Sequence, residues 1–529
     1  MLKRVFSKKN SPSIALVLIV LTSLYTLWYF HPWEKNDAGN RGVIKWDVIS
    51  YYSYLPATVI HGDITLDFLN EGKIKNDNKF WTIKLENGNR LIVTSMGLSF
   101  LYAPFFFIAH ALAPVLGQAN DGFSNIYQFM LVVSGFFYSI LGLILLMKFL
   151  RKHFDPVVTA ITIFAIWLGS NLYYYSTVEA AMPHSHNFFL VTLFITLVIR
   201  WYRQSLWYNG LILGLMFGLI VLVRPTNILL FLFLLLYGVT SWKTLWGRIE
   251  FYLKKWYLVI IMFVAFLIPW IPQFIYWKAI TGQYLYFTYA EKGASFYFAH
   301  PHILESLFHF RKGWLIYTPV MVFALTAIPF LSRWSRKWFW ALAIYVVAMV
   351  YVQSSWWNWW FGGGYGLRAY ISMYPLLAIP LAELLKKLSL KRSRLAFRMV
   401  ASIIVVLVVY QVFQTRQYTT QAIHYSGTCK KSYFENFMRS HPTPESWKML
   451  ELPDFNLARL GIYVSYSTGE DKEAWRSMER EKAYEQISGE IEGDKKVQRQ
   501  IKWYANREEI PLDSAMHMVV ERMYSRKIK

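Results

Sequence analysis

Apolar residues in this chain are gathered rather than scattered. Between Ile14 and Phe413 they fall into repeated uninterrupted runs, separated by short basic groups. A hydrocarbon core takes roughly 20 apolar helical residues to cross, and the runs are about that long. The pattern predicts an all-α polytopic membrane protein with about 11–13 transmembrane helices. The character changes at Arg416. From there to Lys529 no spanning run occurs, and Lys, Glu, Trp and Tyr are interleaved. Glu470–Gln500 reads as helical, with charges of both signs along it, and Pro511-Leu-Asp-Ser reads as a helix start. Two domains are therefore expected: a transmembrane domain over 1–415 and a small helical soluble domain over 416–529.

Basic groups sit at Lys148–His153, Arg200–Arg203, Lys243–Lys255, Arg333–Lys337 and Lys386–Arg398. The positive-inside bias assigns them to the cytoplasm. An outer loop, 31–90, then follows the first helix, and the C-terminal domain falls outside by parity. Met1-Leu-Lys-Arg precedes an apolar run with no small-x-small site after it, so it reads as a retained first helix with a cytoplasmic N-terminus. Gly97–Leu116 disturbs the alternation. It is apolar enough to span, yet a single crossing puts Lys148–His153 outside. Leu91–Asn125 is accordingly expected to be re-entrant, interfacial or twice crossing. Pro104, His110 and Pro114 suit an interrupted helix.

Composition narrows the class. Of 529 residues, 55% are hydrophobic and 16% charged, where soluble proteins carry about 25% charged residues. The net charge of +23 would suit nucleic-acid binding. Its confinement to loops between apolar runs speaks for a membrane instead, and no nucleic-acid partner is expected. Cys429 is the only cysteine, which excludes an intrachain disulfide and a Cys-rich metal site.

Five segments carry candidate chemistry, all assigned to the outer side. Trp46-Asp47-Val-Ile-Ser-Tyr51-Tyr52-Ser-Tyr54 is amphipathic, with Asp47, Tyr51 and Tyr54 on one face at helical spacing. A carboxylate in a cleft there accepts a proton from an attacking hydroxyl, whereas a solvated or capping aspartate does nothing of the kind. Glu179-Ala-Ala-Met-Pro183-His184-Ser185-His186 joins two spans. Pro183 suits a first helical turn, which puts His184 where backbone amides favour anions. Glu179, His184 and His186 as a metal set is the weaker reading, since His-x-His points its rings to different faces. Hydrogen bonding between helices is the bland one. Arg224-Pro225-Thr226-Asn227 breaks an apolar run, and a cation at membrane depth usually faces a cavity or a partner. Gly210, Gly214 and Gly218 precede it at every fourth position, a spacing for close helix packing. Phe310-Arg311-Lys312-Gly313 puts two cations on the outer side, suited to a lipid phosphate or to headgroups in general. Trp356-Trp357-Asn-Trp-Trp360 runs into Gly362-Gly363-Gly364 and ends at Arg368. An aromatic belt would explain the tryptophans, but not the glycines or the phosphate-gripping arginine.

With these residues in view the chain resembles the GT-C superfamily of membrane glycosyltransferases, near bacterial protein O-mannosyltransferases and the aminoarabinose transferase of lipid A. The resemblance rests on Trp46-Asp47 with Tyr51-Tyr52, Glu179…His184, Arg224-Pro225-Thr226-Asn227, Lys312-Gly313 and Trp356…Arg368. It implies a GT-C-like helical bundle in a bacterial inner membrane and a polyprenyl-phosphate sugar donor. It also implies an acceptor hydroxyl on protein, lipid or glycan, and inverting transfer with Asp47 as the catalytic base. Tyr51, Tyr52, Glu179, His184, His186, Arg224, Arg311, Lys312, Trp357 and Arg368 would bind the substrates. Many relatives carry paired acidic residues at the Asp47 position. Here Trp46 and Val48 flank it, so a divalent metal has no paired acidic motif behind it. A transporter or flippase of an amphiphilic substrate is the alternative, given the broken run at Arg224.

Overall fold

The computed structural model describes residues 8–34, 42–70, 80–331, 335–390 and 393–528. Parts of the expected outer loop (35–41 and 71–79), the N-terminal residues 1–7, and 332–334 and 391–392 of the basic groups lie outside the described residues. The chain is largely helical, and two short antiparallel hairpins, Thr82–Lys84 with Arg90–Ile92 and Glu451–Pro453 with Ser465–Ser467, are its sheets among the described residues. Among the described residues, seven helices have the length and apolar composition to cross a bilayer, and four shorter apolar helices accompany them. This is a multi-pass membrane protein. The chain divides into two compact units, one of 1–292, 318–349 and 369–411, the other of 293–317, 350–368 and 412–529.

The first unit is the helical membrane body. Its leading elements are α1 (Ser11–Phe30), the short α2 (Asp47–Tyr52) and α3 (Tyr54–Val59), α4 (Gly97–Val115), α5 (Asn125–Arg151), α6 (Pro156–Leu168), α7 (Pro183–Arg203) and α8 (Trp207–Val223). Pro183 opens α7 at its first turn, where a missing N–H costs nothing. Pro156 does the same for α6, with Asp155 capping the Val157 N–H at 2.9 Å. The apolar run broken by Arg224 ends its helix there. Arg224 is extended, and a 3-10 turn, Pro225–Leu229, follows. Behind it, α8 lies against α10 (Trp256–Leu267, after α9, Trp242–Lys254). A Cβ on Gly214 would sit 2.2 Å from the Met262 carbonyl oxygen, and one on Gly218 2.1 Å from that of Phe266. The glycine spacing thus buys backbone-to-backbone contact.

Gly97–Val115 corrects the expectation of an interrupted helix. It is continuous through Pro104, which removes one backbone hydrogen bond but leaves the neighbouring turns intact. Its contacts start at the end of the bundle where α8 closes and reach Tyr138, midway along α5. Gly97 meets Leu222 and Val223 at the close of α8. Tyr102 donates to the Ala181 carbonyl just ahead of α7. His110 bonds to the Tyr127 hydroxyl, in the first turn of α5, at 2.7 Å. By length and composition it is one of the seven helices able to cross. The described basic groups gather at the other end, around the close of α5 and α7.

The second unit has its own core. Three helices, Arg480–Gly493, Lys495–Arg507 and Leu512–Lys527, pack Ile487, Ile491, Ile501, Val519 and Val520 against Trp475 and Leu457. The last begins directly after Pro511, as its sequence suggests.

Candidate functional site

The loop after α1 is pinned to the bundle by polar contacts. Gln128 of α5 accepts the Val43 and Ile44 N–H groups, each at 2.8 Å. Ser99 of α4 donates to the Tyr51 carbonyl, and Tyr54 donates to that of Thr94 at 2.6 Å. These anchors fix α2, whose first residue is Asp47. Trp46, just before it, has φ 50° and ψ −130°, a conformation that side chains rarely adopt. Asp47 is half-buried and Trp46 exposed.

A loop from the far side of the sequence completes the cluster. Thr288 donates to the Val93 carbonyl, and beside it Tyr289 bonds to Tyr51 in the field of both Asp47 and Arg224. Burial first, then Tyr51 and Asp47, push the Tyr289 hydroxyl well above the ordinary tyrosine range. It therefore stays a proton donor at neutral pH. Arg224 places Nη1 3.0 Å from His184 Nδ1. An arginine only donates, so His184 accepts at Nδ1 and its remaining proton lies on Nε2. Asn227 ties the break to α7, donating to the Asn187 side chain at 2.8 Å and to the Ile220 carbonyl at 3.0 Å. One end of the first unit thus assembles a carboxylate, two tyrosines and an arginine–histidine pair. Asp47, Tyr51, His184 and Arg224 are among the residues singled out in the sequence. Tyr289 was missed, because nothing in its local sequence links it to Asp47.

Other expected residues lie differently. Tyr52 is fully buried, donates to the Gly122 carbonyl at 2.5 Å and packs among Tyr102, Phe106 and Phe123, so it props up the loop rather than meeting a ligand. His186 is fully buried between Tyr102 and Tyr138, 3.0 Å from the Ser134 hydroxyl, in the interhelical role. Glu179 is half-buried in the turn before Pro183, its N–H on the Tyr174 carbonyl at 3.2 Å. Among the described residues no group of three or more His, Cys, Asp or Glu side chains is placed to hold a metal.

Arg311, Lys312, Trp357 and Arg368 belong to the second unit. Arg311 is buried over the Trp360 ring at 5.3 Å and donates through Nη2 to the Glu451 carbonyl at 2.9 Å and to Ser465 at 2.8 Å. Burial holds its pKa down to about 10, which leaves it charged. It lines a cleft of about 170 Å³ with His302, Glu305, His309 and Lys496. Lys312, 1% exposed, donates to the Gly364 carbonyl under the Tyr418 ring. Gly362 and Gly366 take φ values of 64° and 57°, so the glycine run turns tightly. Trp357, Trp359 and Trp360 are buried, with Arg459 over Trp357 at 5.2 Å, and so form core rather than an aromatic belt. Arg368 is half-buried.

No protein-family model matches the chain, and no curated protein is similar to it in sequence. Solved structures are similar to it. They include ArnT from Cupriavidus metallidurans in the apo state, at 15% identity and TM-score 0.42 over 70% of this chain and 59% of that one. The same protein bound to undecaprenyl phosphate gives 16% and 0.47 over 74% and 63%. The archaeal oligosaccharyltransferase AglB from Archaeoglobus fulgidus, in complex with an inhibitory peptide and a dolichol-phosphate, gives 13% and 0.39 over 91% and 60%. The chain spans about 60% of the length of these structures. They are what it resembles in structure.

Proposed function

We propose that this protein is a membrane glycosyltransferase. It moves a sugar from a polyprenyl-phosphate donor to an acceptor hydroxyl at the outer face of a bacterial inner membrane, with its N-terminus in the cytoplasm. The observation that carries the reading is the meeting of Asp47, Tyr51 and Tyr289 with the Arg224–His184 pair at one end of a membrane-embedded bundle. The acceptor oxygen attacks the anomeric carbon while Asp47 takes its proton. The bond from that carbon to the phosphate oxygen breaks, and the polyprenyl phosphate leaves with the electron pair. Direct displacement inverts the configuration. Arg224 stabilises the charge that grows on the phosphate, and fixed cations in a low-dielectric site are the strongest aid of this kind. His184 holds the guanidinium, and Tyr289 donates toward the sugar or the carboxylate. The scheme needs no residue of the second unit.

Purified protein supplied with a radiolabelled polyprenyl-phosphate sugar and an acceptor should yield labelled product. Asp47→Asn should lose roughly 10²–10⁴-fold in turnover, the usual contribution of a general base, while inserting and unfolding as wild type does. Near-wild-type turnover would remove Asp47 from the mechanism. Movement of labelled lipid across the bilayer without sugar transfer would favour the transporter reading.

A further inference from the structure

The end of the first unit away from Asp47 collects its basic loops, joined side chain to side chain. Arg248 of α9 lies over the Tyr202 ring at 3.6 Å. Tyr202 stacks on Tyr237 at 6.0 Å, and Tyr237 packs on Trp338 at 5.0 Å. The Lys337 carbonyl accepts the Gly238 N–H at 2.9 Å. Trp338 meets Phe149 at 5.7 Å, and Phe149 meets His153 at 5.2 Å. Lys386 lies over Phe154 at 5.6 Å. Segments far apart in sequence thus converge with their cations. The His153 imidazole feels this. Burial first, and then Lys337, Arg203, Lys152 and Lys386, hold it below the usual histidine range. Carboxylates on the same elements serve elsewhere. Asp155 caps α6, Glu383 accepts from Ser335 at 2.9 Å, and Glu250 pairs with Lys254 at 2.6 Å.

A second observation says where this basin sits. Helix α9 has no buried residue. Trp242, Trp246, Ile249 and Leu253 are all exposed, at the spacing of one helical face. After Lys255 the chain passes straight into an apolar helix run, Trp256–Thr281, long enough to span. A basic helix with a bare apolar stripe, leading into a span, lies in the headgroup layer.

We propose that this basin binds the phosphate of an acidic membrane phospholipid, held by Arg203, Arg248, Lys337 and Lys386, with α9 embedded alongside. The apolar stripe selects a lipid headgroup over a free anion, because a soluble ion gives it nothing to cover.

Full-length protein in neutral detergent micelles, titrated with phosphatidylglycerol and followed by thermal unfolding, tests this. Wild type should be stabilised by phosphatidylglycerol but not by phosphatidylcholine or inorganic phosphate. The double variant Arg203→Gln/Lys337→Gln should unfold as wild type without added lipid and need roughly 30-fold more phosphatidylglycerol, at about fivefold per cation removed. An unchanged lipid response in that variant overturns the proposal. So does equal stabilisation by inorganic phosphate, which would make the basin a free-anion site. If the double variant is less stable before any lipid is added, Lys386→Gln, at an exposed position, replaces it, with about a fivefold weaker response expected. No change there overturns the proposal equally.

Discussion

The Asp47 cluster and the Arg311 cluster read alike in sequence. Each places charge beside a dense aromatic run at the mouth of a helix. In the structure they part company. Asp47 and Arg224 stay half-buried, Arg224 on His184 and both in the field of Tyr289. Arg311 and Lys312 are almost wholly enclosed and donate to the Glu451 and Gly364 carbonyls and to Ser465. The same residue types are left half-buried in one place and built into a core in the other. What separates them is how far each pair is enclosed by its neighbours.

Mutation should widen that contrast. Beyond Asp47→Asn, Arg224→Gln should cost roughly 10²–10³-fold in transfer at unchanged stability, the loss typical of one charge-stabilising donor. Kinetics on purified protein would show it, and an equal loss of stability would put Arg224 with the architectural group. Arg311→Ala should behave oppositely. Losing charged hydrogen bonds worth about 1.5–3 kcal/mol each should lower the unfolding temperature, while turnover per folded molecule holds. A smaller effect should follow from acid. Burial first, and then Arg311, push the His309 pKa down to about 4, against about 6.5 in an unfolded chain. The folded state therefore refuses a proton that the unfolded state accepts. The stability this group contributes is whole above about pH 6.5 and is lost as pH falls towards 4. Allowing for partial exposure it amounts to about 1–2 kcal/mol. Thermal unfolding against pH should show the slope, and His309→Gln should flatten it.

Much of this was legible in the sequence where local chemistry decides. Pro183 and Pro511 mark helix starts because proline fits there, and Arg224-Pro225 ends a helix because the residue before proline avoids the helical conformation. Gly214 and Gly218 announced their contacts because nothing larger fits. Three features were not legible. Gly97–Val115 carries two prolines, and only the structure shows it as one continuous helix. Tyr289 reaches Asp47 through the fold alone. The tryptophans near 357 satisfy a belt and a core equally well, since composition does not say which neighbours will cover them.

Trp46 carries a consequence of its own. A tryptophan held at φ 50° is tension stored one residue before Asp47. Trp46→Gly would release it and should raise the unfolding temperature, by up to a few degrees for about 1 kcal/mol. The same release would unfasten the hinge on which the carboxylate is aimed, and turnover should fall as stability rises. Calorimetry and kinetics on that single variant would then move in opposite directions. The least comfortable pair of backbone dihedrals in the loop would be the setting screw of the site.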